Sequence, residues 1–333
     1  MSTDTASDEY LRCIVIEGDG KTPPPPRGAM IPFNENSTRA MSKKIRVYVL
    51  RDFLFRNYSS TLTMGSTVLD VAGGKGDLSW ILRNIDGVNS IIADPRTPNH
   101  QRLLKSVEFL LNHPEEAVIR AVEGLPTHQP LAKLLLPHLI DEKGRNDTEQ
   151  GRQIVINSSP EYMRIHIDNT LVGILRQVRN NPSGSELTSW DEHWETEKRE
   201  IKSNKVHYGG TAPKPSSIAK VDGMERDNQI SDSRLALNAF HSLDMIVGFH
   251  PDQATEAAID LALLLRLPFV VVPCCVFPSE FPERNFKGKR VRQYSDFVEY
   301  LCNKHHKIRR EKLPFVETDT AKNVVLYMLK DDF

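Results

Sequence analysis

The chain has 333 residues, 39% of them hydrophobic and 26% charged, with a formal net charge of −1. That balance excludes a globally basic nucleic-acid coat while leaving room for a local basic patch; no run approaches the roughly 18 apolar residues that span a bilayer, and four cysteines make no disulfide scaffold. The opening stretch MSTDTASDEY is acidic and polar, unlike a secretory or transit signal, so a reducing compartment, cytoplasmic or nuclear, and no membrane association are expected.

Residues 1–36, with the proline run Pro23 to Pro26, read as a flexible tail. From Ser37 to Tyr58, Met41, Ile45, Val49 and Phe53 recur at helical spacing. Arg39, Lys43, Lys44, Arg46 and Arg51 fall on the other faces, as a solvated surface or a wall for an anionic ligand. A strand is predicted at Val68 to Val71, a helix at Leu78 to Ile85, a second strand at Asn89 to Ala93 and a helix at Gln101 to Asn112. Ala117 to Val122 reads as a third strand and His128 to Ile140 as a helix. Leu243 to Gly248 and Phe269 to Val272 read as the fourth and fifth strands, separated by a helix from Asp252 to Leu265. Arg292 to His305 is read as helical. Lys312 to Val316 and Val324 to Leu329 are read as a closing antiparallel pair.

This alternation predicts an α/β fold: a doubly wound, mostly parallel, Rossmann-like seven-stranded sheet. Residues 141–235 are polar and poor in core formers, and read as a long, partly disordered insertion between the third and fourth strands. Within it only Met163 to Val178 shows helical apolar spacing. The whole is read as one domain over 37–333, interrupted by that insertion.

The strongest local pattern is Val68 to Trp80, VLDVAGGKGDLSW. An apolar strand ends in an acid, a glycine turn follows, and a helix begins whose free N–H groups suit an anionic ligand group. A Walker loop requires Ser or Thr after its lysine, and Lys75 is followed by Gly76. The dinucleotide spacing G-x-G-x-x-G is also absent. Asp70, Ala72, Gly74 and Gly76 instead resemble the acid-x-small-x-Gly-x-Gly loop of class I S-adenosylmethionine-dependent methyltransferases. Asp94, ending the second strand, stands near the offset of about 20 residues expected for a ribose-binding acid. The resemblance implies S-adenosyl-L-methionine as cofactor, with Asp70, Ala72, Gly73, Gly74 and Gly76 around its methionine end, Asp94 on its ribose hydroxyls, and Glu123, after the predicted third strand, toward its adenine.

The fourth and fifth strands end in Phe249-His250-Pro251-Asp252 and Cys274-Cys275, and strand carboxyl ends face the ligand crevice of such a sheet. His250 is a candidate base, or a strand-end histidine satisfied by backbone. Asp252 is a candidate site acid or a helix cap. Cys274 and Cys275 read as a nucleophile, a metal pair or tight packing; without C-x₂-C spacing, no metal is expected. The two segments together resemble, more narrowly, eukaryotic tRNA 2′-O-methyltransferases and related methyltransferase-like proteins with a Cys-Cys pair after the fifth strand. The Cys-Gly after the histidine turn and the histidine after the cysteine pair are replaced by Pro251-Asp252 and Val276-Phe277. From Arg284 to Lys312 the chain is locally basic, with Arg284, Lys287, Lys289, Arg290 and Arg292, then Lys304, Lys307, Arg309, Arg310 and Lys312, and with Phe281, Phe286 and Tyr294 among them. It reads as a surface for a phosphate backbone and unpaired bases, or as a solvated basic loop. Transfer of a methyl group to RNA, with tRNA as one candidate, is the expected activity. A small-molecule or protein acceptor, or a non-catalytic binding module on the same fold, are the alternatives.

Overall fold

The computed structural model describes residues 43–121, 130–139, 159–181, 185–203, 228–315 and 322–333. The tail over 1–36, Glu123 and much of 141–235 lie outside the described residues.

A seven-stranded sheet organises the chain. Strands β1 (Thr67–Val71), β2 (Asn89–Ala93), β3 (Glu161–Met163), β4 (Met245–Phe249) and β5 (Phe269–Val272) are mutually parallel. A two-stranded hairpin, β6 (Asn285–Phe286) and β7 (Lys289–Arg290), stands apart. Strands β8 (Arg309–Lys312) and β9 (Val324–Met328) close the main sheet in the order β3-β2-β1-β4-β5-β9-β8, with β9 antiparallel to both of its neighbours. The central strands are continuous apolar runs because both faces are covered: Val68, Leu69 and Val71, then Val270, Val271 and Val272, are wholly buried.

Helices form a layer on each face. Helices α1 (Lys43–Tyr58), α2 (Asp77–Asn84), α3 (Gln101–Asn112), α4 (Pro114–Ala121) and α5 (Pro130–Leu139) share one core with Val68, Val247, Val270 and Val325. Helices α6 (Asn169–Asn180), α7 (Ser185–Ser203), α8 (Ser233–His241), α9 (Thr255–Leu265) and α10 (Tyr294–Cys302) share the other with Leu69, Val71, Ile246 and Val271.

The expected third strand at Ala117 to Val122 is a correction. As far as Ala121 that segment is helix α4, with Pro114 as its first residue and Glu115 and Glu116 in its first turn, all three favouring a helix start. Ala117, Val118 and Ala121 pack inward from it. The true third strand lies inside the stretch predicted as insertion. Met163, Ile165 and Ile167 are buried in alternation, the period of extended chain. Helix α6 starts only at Asn169, where Asp168 accepts the Leu171 N–H at 2.8 Å as an N-cap. The described part of 141–235 is therefore largely framework. Trp190 and Trp194 of α7 are buried and donate their indole N–H groups to the carbonyls of Ser233 and Ser231.

The basic face of α1 also differs from both readings. Arg51 is buried and paired with Asp52 and Asp86, and buried Arg46 lies over the Phe315 ring. Two of its cations are thus structural. No helix among the described residues is long and apolar enough to cross a membrane.

Candidate functional site

The sheet reverses its winding between β1 and β4, and ligands of doubly wound sheets bind outside the carboxyl ends of the strands at that point. A cavity of about 440 Å³ opens there, within the size range of small-molecule sites. Ala72 after β1, Asp94 and Arg96 after β2, Ile165 to Asn169 after β3, Pro251 to Ala254 after β4, and Glu256, Phe281 and Arg284 form its walls.

The glycine loop supports this cavity from one side. Ala72, Gly74 and Gly76 all have positive φ, at 52°, 60° and 76°, so the chain turns in the left-handed region before α2. At Gly76 a side chain is excluded twice over, since a Cβ would lie 2.7 Å from His100 Cε1 and collide with Ile92. At Gly73 a Cβ would lie 2.6 Å from an Asp70 carboxylate oxygen. Asp70 therefore sits beneath the loop and outside the cavity wall. Ser79 Oγ donates to it at 2.7 Å, and burial pushes its carboxyl from 3.8 up to about 7 against that hydrogen bond.

Asp94 is 1% exposed yet lines the cavity. Its Oδ2 accepts the Gly74 N–H at 2.9 Å, which ties the second strand to the loop. Arg96 covers the same carboxylate, donating from its backbone N–H and Nε to Oδ1 and from Nη2 to Oδ2 at 2.8–2.9 Å. Half of the Arg96 side-chain surface remains exposed.

Opposite stands the segment after β3. Ile165 and Ile167 are buried among apolar neighbours and give an apolar wall. His166 is braced by Glu197 of α7, whose Oε2 accepts its N–H at 3.0 Å and lies 2.8 Å from its Nδ1. That hydrogen bond raises the His166 pKa, outweighing burial.

The β4 and β5 turns form the remaining rim. His250 and Asp252 both take positive φ, 57° and 49°, a strained backbone state for residues other than glycine. The His250 N–H donates to the Val272 carbonyl at 3.1 Å, and its ring packs on Phe249. Asp252 does not cap α9 through its side chain; its Oδ1 accepts from the Cys274 thiol at 3.1 Å. Burial, then that hydrogen bond and the charge of Asp252, push the Cys274 thiol far up, which makes it a poor nucleophile.

Deeper in, Arg284 and Glu256 form a buried ion pair at 2.6 Å. Arg284 also donates to the Val276 carbonyl and stacks on Phe281. Lys304 and Tyr300 add to Glu256, and these partners hold its carboxyl below the usual range although burial alone would raise it.

Of the residues singled out in the sequence, Ala72, Asp94 and Asp252 line the cavity, while Gly73, Gly74 and Gly76 shape the loop behind it. His250, Cys274 and Cys275 are not among the residues lining it: both ring nitrogens of His250 are buried, and Cys274 meets the site only through its hydrogen bond to Asp252. The residues missed are Ile165 to Asn169 and Glu256, while Phe281 and Arg284, read as part of an RNA-facing basic stretch, instead line the cavity. The alternation of Met163, Ile165 and Ile167 was the available signal for the first group. Nothing in the sequence marks the pairing of Arg284 with Glu256, which joins residues 28 positions apart.

The predicted basic patch is partly consumed by the fold. Arg284, Lys304, Arg309 and Arg310 pair with Glu256, Asp260, Asp332 and Glu299, and Arg290 bonds the Pro278 carbonyl. Lys287, Lys289 and Arg292 stay exposed, the first two on the β6–β7 hairpin whose Lys287-Gly288 turn has both φ values positive, as a type I′ turn requires. No protein-family model matches the chain, and comparison with curated proteins and with solved structures returns no match.

Proposed function

We propose that the chain is an S-adenosyl-L-methionine-dependent methyltransferase and that the cavity at the β1/β4 switch point is its cofactor cleft. The observation that carries this reading is Asp94: a carboxylate at the carboxyl end of β2, hydrogen-bonded to the glycine loop and set in the cavity wall. Two carboxylate oxygens suit a pair of vicinal ribose hydroxyls, and the Arg96 side chain, half exposed, is the group that yields to them. Ile165 and Ile167 suit a flat purine ring, and the Ala72 to Gly76 turn allows close approach of a ligand's polar end. Asp70 acts through the loop, beneath Gly73.

The cofactor, when bound, supplies a methyl group already activated on a sulfonium, so the protein's task is chiefly positioning. The β4 turn, with His250 and Asp252, supplies the residues beside the acceptor. For a hydroxyl acceptor Asp252, which lines the cavity, is the candidate to receive its proton; the buried ring nitrogens of His250 would have to turn into the cleft to do so. The raised thiol of Cys274 disfavours a covalent thiolate route.

RNA is the proposed acceptor. The β6–β7 hairpin leads away from the cavity wall, since the Val291 N–H closes it on the Arg284 carbonyl at 2.9 Å and Arg284 lines the cavity. The exposed Lys287 and Lys289 thus belong to a hairpin tethered at the cavity wall, and cations there would engage phosphates.

The test has two arms. Calorimetry with S-adenosyl-L-methionine should show binding to the full chain and its loss in Asp94→Ala, with the far-UV spectrum retained; equal affinity in the variant sinks the ribose assignment. Labelled cofactor should then carry methyl into the RNA fraction of an extract, not into its protein or metabolite fractions; label confined to either of those would redirect the acceptor.

A further inference from the structure

We infer that Asp252, Cys274 and Cys275 form a zinc-binding site at the rim of the cavity. The three ligand atoms, a carboxylate oxygen and two sulfurs, all lie within 4.8 Å of one another. Tetrahedral zinc, with bonds of about 2.0–2.3 Å, places its ligand atoms about 3.3–3.8 Å apart, so a contraction of an ångström or less completes the site. The Cys274 sulfur already stands 3.1 Å from Asp252 Oδ1.

The fold brings these groups together from turns distant in sequence. Phe249 pairs with Val272 at the ends of β4 and β5, so both turns leave the sheet side by side. The left-handed backbone at His250 and Asp252 returns the Asp252 carboxylate over the cysteines. Spacing within the chain shows none of this, because the third ligand comes from the neighbouring strand and not from a C-x₂-C pattern.

Ligand chemistry selects the metal. Two thiolates are too soft for magnesium or calcium, while the carboxylate suits a borderline divalent ion. Two thiol protons leave as the ion enters, including the one Cys274 shares with Asp252. Three protein ligands leave a fourth position open, the arrangement of catalytic rather than structural zinc. Asp252 lines the cavity, so that position is within reach of water or of a heteroatom on a molecule bound there, and with the ion in place that open position, not the Asp252 carboxylate, would face an acceptor's hydroxyl. Asp252 and Cys275 are exposed and Cys274 half-buried, which gives the ion an entry path.

The experiment uses the full chain, stripped with a chelator and kept in a non-thiol reductant, and titrates it first with Co²⁺. One equivalent should produce the thiolate-to-cobalt charge-transfer absorption, and Zn²⁺ should then abolish it. Competition with a chromophoric chelator gives the zinc affinity. Cys274→Ser and Cys275→Ser should each weaken it by more than the roughly 10–100-fold that losing an outer-shell partner costs, with the far-UV spectrum retained. A protein with Cys13 and Cys302 both changed to Ser should bind as the parent does. No charge-transfer band, an unchanged affinity in Cys275→Ser, or loss of binding in the Cys13/Cys302 protein would each overturn the assignment. Asp94→Ala should bind zinc normally, so the metal site and the cofactor cleft stand or fall separately.

Discussion

Replacing Asp70 by Asn tests whether the carboxyl beneath the glycine loop is held against its own ionisation. Asp70 is buried at the end of β1, and burial raises its carboxyl from 3.8 to about 7, opposed by the Ser79 hydroxyl and reinforced by Asp94 and Asp77. The folded chain therefore retains a proton that the unfolded chain releases. Stability from this group is complete below about pH 4, falls as pH rises, and levels off above about pH 7. Between pH 5 and 8 the two titrations diverge by about two pH units, which is about 2–3 kcal/mol. Asn keeps an oxygen for the Ser79 hydroxyl and never ionises. Urea unfolding of both proteins at pH 5, 6, 7 and 8 should show the variant gaining about 2–3 kcal/mol relative to the parent across that range. Comparison at each pH cancels the other titrations, including that of His100, which burial lowers to about 4. Stability curves that stay parallel within about 0.5 kcal/mol would refute a buried, proton-retaining Asp70.

Gly76→Ala should destabilise the chain by about 1–3 kcal/mol, because a Cβ there meets His100 and Ile92 in a left-handed turn; a thermal midpoint unchanged from the parent would count against that crowding. Arg96→Ala uncovers Asp94 and should tighten cofactor binding several-fold in calorimetry, whereas weaker binding would mean that Arg96 itself holds the ligand. Trp194→Ala removes a buried indole and its bond to Ser231, and should cost about 3–5 kcal/mol in denaturant unfolding, a loss that a loosely attached insertion would not show.

Much of the framework was legible because it rests on local patterns. β1, β2, β4 and β5 appear as short apolar runs, and the loop from Ala72 to Gly76 with Asp94 beyond it marks the crevice. The third strand was misplaced because Ala117 to Val122 is apolar enough for either state, and Pro114 with its two following acids was the evidence that favoured helix. β3 itself is only Glu161 to Met163, and the alternation of Met163, Ile165 and Ile167 merges with the apolar residues of α6 into a helix-like spacing, while the strongly charged α7 buries a face that depends on two tryptophans. The ion pairs that neutralise Arg284 and Lys304 join residues 28 and 44 positions apart. No window along the chain reveals such pairing, so basic residues buried or bound in the fold were counted toward a surface patch.

The charges around the cavity bear on what it accepts. Its cations are already engaged: Arg96 with Asp94 and Arg284 with Glu256. Asp168 and Asp252 line the same space and carry no salt bridge among the described residues. Asp168 is bonded to the Leu171 N–H and Asp252 to the Cys274 thiol, neither of which cancels a full negative charge. Glu197 raises the His166 pKa, and the cation this favours is met by the carboxylate of Glu197 itself. The walls therefore attract a cation more readily than an anion, and a ligand bearing a sulfonium and an ammonium group meets that condition better than a polyphosphate does. The same inequality sets the direction of acceptor approach. On the proposed RNA acceptor, phosphates would meet the exposed Lys287 and Lys289 of the hairpin more favourably than these walls.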